Sequence, residues 1–196
     1  MSPRVGLDRA ALVQAAAELA DTEGLEQLTL ARLAEQLGIR AASLYNHIEG
    51  VPGLRRELAL LGIRQMSQRL GRAAIGKAGD EAVMAIADAH RSFAKAHPGL
   101  YAATLWAPDS SDPEWQAAWQ DLVEIMLTVL RPYDLSEEET IHTMRGLRSV
   151  IHGFVALEAA GAFVMASDLD ESFHRLIQTF VHGLACPVGT ELEYRR

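Results

Sequence analysis

The sequence of 196 residues predicts an all-α protein. Apolar residues recur every three or four positions along most of the chain, as they do on the buried face of an amphipathic helix. Ser, Thr, Asp and Gly stand where such helices would begin and end. No stretch shows the alternation of apolar and polar residues that is typical of a half-buried strand, and there is no repeat or low-complexity tract. We therefore expect helices joined by turns.

The first predicted helix follows a short N-terminal arm, residues 2–7, which we expect to be mobile. Asp8 is placed to cap the helix, and Gly24 is placed to end it. Its predicted inward face carries small and aliphatic residues: Leu12, Ala16, Leu19 and Ala20. These small side chains would allow the next two helices to pack closely.

Residues 28–48 predict two short helices joined by a tight turn. Thr29 is a plausible N-cap for the first helix, because its hydroxyl can accept a hydrogen bond from an N–H of the first turn. Gly38 can take the left-handed conformation that ends this helix. The second helix, which we expect to extend to about His47, buries Leu44. Its outward side chains are small at the leading end and polar around the rim, which suits the major groove of DNA.

This segment, LTLARLAEQLGIRAASLYNHIEG, resembles the helix-turn-helix of the TetR family of bacterial transcriptional repressors. The likeness covers about residues 7–61, and the Leu-Gly-Ile turn followed by Leu-Tyr-x-His is its most specific part. It implies a three-helix DNA-binding domain at residues 6–66, with the helix-turn-helix motif at 29–48. It also implies a C-terminal helical domain at residues 75–190 for ligand binding and dimerisation.

Two later stretches, HPGLYAATL and IHGFVALEAAGAF, resemble a C-terminal subtype of the same family that has a Trp-His-Gly signature. Ile151 stands where that signature has its tryptophan.

Eight residues are predicted to contact DNA. Ala41 and Ala42 offer methyl groups to thymine, and Arg40 could hold a guanine with two hydrogen bonds. Ser43 and Asn46 can hydrogen-bond to base edges. The family resemblance implies that the remaining three hold phosphates and fix the register of the helix: Thr29, Tyr45 and His47. The alternative is a three-helix unit whose polar surface has no DNA target.

A fourth helix is predicted at about residues 52–72, because Pro52 suits a first helical turn. Members of the family often have a lysine at the position of Val51, and that lysine contacts a phosphate. Arg55 or Arg56 could supply the charge one turn later, or they could lie on an ordinary solvated face.

Gly71, Gly76 and Gly79 predict a domain boundary near residues 70–80. Further helices are expected at about 80–97, 99–106, 114–130 and 136–163, with a last one after Asp168. Ser136 to Glu139 has the pattern of a capping box.

A ligand cavity is predicted in the C-terminal domain, suited to a small apolar or aromatic effector. The residues that could line it are mainly aromatic, with two histidines as polar groups: His90, Phe93, Trp106, Trp115, Trp119, Met126, His152 and Phe154. The same residues could equally form ordinary core, with the histidines satisfied inside it.

The last two helices are apolar on more than one face, so two from each subunit could form a four-helix dimer interface. The predicted interface residues are Gly153, Ala156, Ala160, Phe173, Ile177, Phe180, Val181 and Leu184. The alternative is that this apolar surface covers the core of its own chain. A dimer is expected because one small DNA-binding domain binds weakly and two half-sites compensate.

The net charge of −8 is unevenly distributed. Residues 1–72 hold nine arginines and eight acidic residues, whereas residues 73–196 hold nine basic and eighteen acidic residues. A slightly basic N-terminal part on an acidic body is typical of a protein that meets phosphate at one end only. Cys186 is the only cysteine, so an intramolecular disulfide is impossible.

These patterns predict a ligand-responsive DNA-binding regulator, a repressor that binds a palindromic double-stranded operator as a homodimer. We expect a cytoplasmic protein without a membrane span, because the N-terminus has no apolar signal core and no apolar run reaches eighteen residues. No metal, cofactor or catalytic residue is predicted. The alternatives are an architectural DNA-binding protein without a ligand and a helical-bundle enzyme with a vestigial helix-turn-helix. The sequence offers the enzyme no nucleophile–base pair and no glycine-rich phosphate loop.

Overall fold

The computed structural model of the chain describes residues 8–106 and 111–184. Every regular element within these residues is helical, which confirms the all-α prediction. The α-helices are α1 Arg9–Glu23, α2 Leu30–Leu37, α3 Ala41–Leu44, α4 Gly50–Ala74, α5 Gly79–Ala96, α6 Pro98–Leu105, α7 Pro113–Leu130, α8 Glu137–Ala159 and α9 Leu169–Leu184. Short 3-10 turns occupy Leu25–Gln27 and Arg131–Tyr133. The predicted N-terminal arm and Cys186 lie outside the described residues.

The predicted capping residues are found at the helix ends. The Thr29 hydroxyl accepts a hydrogen bond from the Arg32 N–H at 3.1 Å, at the start of α2. Gly38 ends α2 with a φ of +64°, a left-handed conformation that glycine adopts without strain. At the start of α8, the Glu139 carboxylate accepts from the Ser136 N–H at 2.9 Å and completes the capping box.

Two helices are shorter than the sequence predicts. Helix α3 ends at Leu44, and residues 45–47 continue as a turn in which the His47 N–H donates to the Leu44 carbonyl at 2.9 Å. Helix α8 ends at Ala159, four residues before the predicted Phe163. It stops there because Gly161 takes a left-handed φ of +63°.

The described residues form two compact units. The first unit contains residues 8–69, 92–106 and 111–123, and the second contains residues 70–91 and 124–184. Each unit has its own buried core of aliphatic and aromatic side chains. The largest fully buried residues of the first unit are Leu12, Leu33, Leu44, Leu54, Leu58, Leu60, Ile63, Phe93 and Leu100, and those of the second are Ile86, Leu130 and Phe173. Each such side chain contributes about 1.5–3 kcal/mol to folding.

Among the described helices, none combines the length and the apolar character that a membrane span requires.

Candidate DNA-binding surface and its surroundings

Helices α1–α3, residues 8–48, form a small DNA-binding candidate that we call the head. Leu44 is fully buried and anchors α3 on α2, where Leu33 is also fully buried. The Ile39 N–H donates to the Ala34 carbonyl at 3.0 Å and closes the turn between the two helices. Because one face of α3 is fixed by Leu44, its remaining side chains must point away from the core of the head.

The structure places the eight predicted DNA contacts at the surface of the head. Ala41 and His47 are half-buried, and Tyr45 is 63% exposed. The other five are exposed: Thr29, Arg40, Ala42, Ser43 and Asn46.

Three of these residues share one cleft. Tyr45, Asn46 and His47 line a cleft of about 400 Å³, together with Arg9 and Arg56. Its lining is mainly polar and includes two glutamates, Glu49 and Glu57. The turn that follows α3 therefore presents an aromatic, an amide and an imidazole side by side.

Arg56 is held by carboxylates within the first unit. Its guanidinium donates to Asp112 at 2.9 Å, to Glu114 at 2.7 Å and to Glu57 at 2.8 Å. The hydrogen bonds from Arg56 lower the pKa of the Asp112 and Glu114 carboxyls, and those carboxylates raise the pKa of Arg56. Arg56 is therefore not placed to replace the family's phosphate-binding lysine.

Other arginines of the head region are paired in the same way. Arg32 donates to Glu35 at 2.9 Å and also bonds Glu23, and Arg9 lies 2.7 Å from Glu57. Arg55 makes a longer contact of 3.3 Å with a carboxylate of the 3-10 turn. Within the described part of the chain, by contrast, Arg40 forms no ion pair, and it is exposed at the leading end of α3.

The residues predicted to line a ligand cavity divide between the two units. Phe93, Trp106, Trp115 and Trp119 belong to the first unit, and His90, Met126, His152 and Phe154 belong to the second. In the first unit, the Trp115 and Trp119 rings stack with centroids 6.1 Å apart, and Phe93 is fully buried. Trp106 is 42% exposed.

His90 is a buried histidine of the second unit whose pKa is strongly lowered. It is buried, and burial lowers its pKa to about 4, with smaller contributions from the nearby charges of Arg148 and His152. The imidazole is therefore neutral at physiological pH. A neutral imidazole can both donate and accept a hydrogen bond, as the prediction for a polar group in an apolar cavity requires.

Phe154 packs against a cluster of ion pairs that the sequence analysis did not predict. Arg91, whose side chain is 8% exposed, donates to Glu158 at 2.7 and 2.8 Å and to Asp170 at 2.8 Å. Its guanidinium carbon lies 5.2 Å from the Phe154 ring centroid and 4.9 Å from that of Phe173. The cluster joins α5 to the end of α8 and the start of α9.

The predicted dimer-interface residues fall into two groups. Phe173, Ile177 and Val181 are buried in the core of the second unit, so their side chains have little surface to offer a second chain. The other five are exposed or half-buried: Gly153, Ala156, Ala160, Phe180 and Leu184. A Cβ atom added at Gly153 would meet nothing within 4 Å, so this part of α8 faces open space.

Comparisons with known proteins agree with this architecture. A family model described as the tetracyclin repressor-like C-terminal domain matches residues 83–180. The chain is 38% identical over 185 residues to an uncharacterised HTH-type transcriptional regulator of Bacillus subtilis, which covers 94% of this chain and 96% of the relative. It is 33% identical over 140 residues to an HTH-type transcriptional repressor of Streptomyces coeruleorubidus, covering 71% of this chain and 48% of that one.

The fold also matches solved structures. A TetR variant of Acinetobacter baumannii in complex with minocycline superposes with a TM-score of 0.68 at 20% identity, covering 90% of this chain and 96% of that chain. At this identity the likeness concerns the fold alone.

Proposed function

The chain belongs to the TetR family of transcriptional regulators, which are not enzymes, and on that basis we propose that it binds a palindromic operator as a homodimer. In this proposal it represses transcription until a small effector releases it from the operator. The relative from Streptomyces coeruleorubidus is named a repressor, which supports repression rather than activation in this proposal. The proposal places the protein in the cytoplasm, with DNA-binding and regulatory domains at residues 6–66 and 75–190.

The observation that carries the proposal is the exposed segment from Arg40 to His47, fixed by one buried leucine. Leu44 orients the segment, so its exposed side chains are presented to a groove in a set direction. Arg40 is exposed and has no carboxylate partner among the described residues, which leaves its guanidinium available for a guanine. Ser43 and Asn46 add hydrogen-bonding groups, and the methyl groups of Ala41 and Ala42 add apolar contacts to thymine.

Thr29, Tyr45 and His47 serve as phosphate contacts in this proposal. Phosphate contacts fix the register of a recognition helix without reading sequence. Tyr45 and His47 lie in the same polar cleft, and the Thr29 hydroxyl stands at the exposed start of α2. Their loss should weaken binding to every sequence by a similar factor.

Footprinting on the DNA that flanks the protein's own gene tests the proposal. The expected result is a protected inverted repeat whose protection weakens as salt is raised. The double variant Tyr45→Ala/His47→Ala should lose this protection, whereas Gln14→Ala, an exposed change on α1, should keep it. Full protection by the double variant would contradict the assigned phosphate contacts.

The proposed dimer uses the outward faces of α8 and α9. Gly153 and Ala156 leave α8 without bulk on its open side, which permits close approach of a second chain. Ala156→Arg should therefore shift the protein toward monomer in sedimentation velocity, whereas Thr128→Arg, an exposed change on α7, should not. An Ala156→Arg variant that remains dimeric would refute this placement of the interface.

The proposed effector is small and apolar or aromatic. The solved structure that holds minocycline shows that this fold can carry a small-molecule ligand in that protein. Operator release by a panel of aromatic compounds, minocycline among them, tests the proposal by electrophoretic mobility shift. An architectural DNA-binding protein would stay bound to DNA with every compound.

A further inference from the structure

A polar contact joins the head to the start of α6 within the first unit. The Asp21 carboxylate, near the end of α1, accepts a hydrogen bond from the Leu100 N–H at 2.8 Å. Its other oxygen lies 2.9 Å from Nδ1 of His97, the residue at the N-cap of α6. One carboxylate thus binds both the first turn of α6 and the residue that precedes it, where the positive end of the helix dipole favours a negative charge.

The second nitrogen of His97 fixes the direction of these bonds. Nε2 lies 2.9 Å from the guanidinium nitrogen Nη2 of Arg69. An arginine can only donate, so Nε2 must accept and Nδ1 must carry the proton that goes to Asp21. His97 is therefore held at both ring nitrogens, and its ring also lies against Phe93 with centroids 5.4 Å apart.

The backbones of the two helices touch beside this contact. A Cβ atom added at Gly99 would lie 2.1 Å from the carbonyl carbon and oxygen of Ala20, so no other residue fits there without moving α1 or α6. On the α4 side, a Cβ atom at Gly62 would lie 2.9 Å from the Leu100 carbonyl oxygen. Helix α6 therefore packs backbone against backbone on α1 at Gly99, and its backbone also lies close to Gly62 of α4.

From this arrangement we infer that Asp21 and His97 are positioning residues that fix the tilt of the head against α6 and so set the half-site spacing that the dimer reads. The inference rests on the proposed function. Helix α1 packs on both α2 and α6, so a change at its end is passed to the recognition segment as a rotation of the whole head. The side-chain hydrogen bonds fix the orientation of α1 relative to α6, which a purely apolar contact would leave free to vary.

The expected displacement is comparable with the spacing of DNA bases. An alanine at position 99 needs about 3.2 Å to the Ala20 carbonyl, so the helices must separate by about 1 Å. In a symmetric dimer, two heads that each shift by about 1 Å change the distance between recognition segments by at most about 2 Å. That is more than half of the rise per base pair, which is about 3.4 Å.

The test measures binding to duplexes in which the spacing between the two half-sites of the footprinted repeat is changed by one or two base pairs. Gly99→Ala and His97→Gln should lose about tenfold in affinity at the native spacing and lose less at a neighbouring spacing. His97→Gln keeps an acceptor near Arg69 but lacks a donor at the Nδ1 position. His97→Asn keeps that donor and should retain the native spacing preference, and Gly71→Ala, which meets only an ordinary contact of 3.4 Å, serves as the control on α4.

Thermal unfolding separates positioning from a structural role. A residue that only stabilises the fold would lower the melting temperature and leave the spacing preference unchanged, and that result would overturn the inference. If Gly99→Ala does not fold, His97→Gln against His97→Asn decides the question. Absence of any protected repeat with the wild-type protein would refute the proposed function and this inference together, whereas a protected repeat with the same spacing preference in all variants would refute the inference alone.

Discussion

Removal of the buried guanidinium of Arg91 is the most direct test of how the second unit is held together. Arg91→Met replaces the charge with an apolar side chain of similar length and leaves Glu158, whose side chain is 12% exposed, without its bidentate partner. Asp170 is 75% exposed and is solvated again at little cost. Glu158 then loses both hydrogen bonds from the guanidinium, and the rings of Phe154 and Phe173 lose the cation that lies against them.

The magnitude follows from the burial of the two partners. Breaking a buried ion pair by removing one partner costs about 3–5 kcal/mol, and the partial exposure of Glu158 favours the lower end of that range. Each lost contact between a guanidinium and a ring adds about 0.5–1 kcal/mol, which the packing of methionine partly offsets. We expect a loss of about 3 kcal/mol in the free energy of unfolding, which for a chain of this length lowers the melting temperature by about 6–12 °C.

Urea denaturation followed by far-ultraviolet circular dichroism measures this loss. The protomer concentration is kept the same for all variants, because the apparent stability of the proposed dimer would depend on it. Arg91→Met/Glu158→Met should recover much of the loss, since neither partner then leaves a buried charge. Arg175→Met, which removes an exposed pair with Glu171, should cost less than about 1 kcal/mol. An Arg91→Met variant within 1 kcal/mol of wild type would refute this reasoning.

Three further predictions concern pH, base recognition and a close helix contact. The lowered pKa of His90, about 4 against an ordinary value near 6.5, means that the unfolded chain binds a proton that the folded chain excludes. The free energy of unfolding should therefore fall as the pH drops below about 6.5, by about 2 kcal/mol at pH 5. Urea titrations at pH 7 and pH 5 should show that His90→Leu lacks this part of the decline. An equal decline in the variant and the wild type would count against the lowered pKa of His90. Arg40→Ala should weaken operator binding by about 1–3 kcal/mol and relax the preference for guanine at one operator position. Competition with singly substituted operators measures this preference. An unchanged base preference would exclude a base contact by Arg40. Gly62→Ala should lower the melting temperature, because its Cβ atom would lie 2.6 Å from Thr104 Cγ2. Gly71→Ala on the same helix should be neutral or stabilising. Equal melting temperatures of the two variants would contradict the close contact at Gly62.

Local signals in the sequence predicted the helices and their caps well. Thr29, Gly38 and the pair Ser136 and Glu139 all have the capping roles that their types and positions indicate. Cap residues and their partners lie within a few positions of each other, so the sequence contains the whole interaction. The head and its exposed segment follow from the same local patterns.

Long-range pairing could not be predicted in this way. Arg91 and its partner Glu158 are 67 residues apart, and Arg56 and Asp112 are 56 residues apart. Periodicity indicates which face of a helix is apolar, but it does not indicate what covers that face. Ile177 and Val181 were assigned to a dimer interface for that reason, and in the structure they lie in the core of their own unit.

The pairing of Arg9, Arg32, Arg55 and Arg56 with carboxylates has a consequence for the way the protein locates its target on a chromosome. Random DNA attracts proteins almost entirely through unneutralised positive charge, and the head and the first turns of α4 have little to spare. We therefore expect short dwell times at arbitrary sequences, little one-dimensional sliding, and a search dominated by diffusion through solution. Fewer copies of the regulator would then be sequestered by the rest of the genome, and occupancy would depend on the fit to bases rather than on proximity.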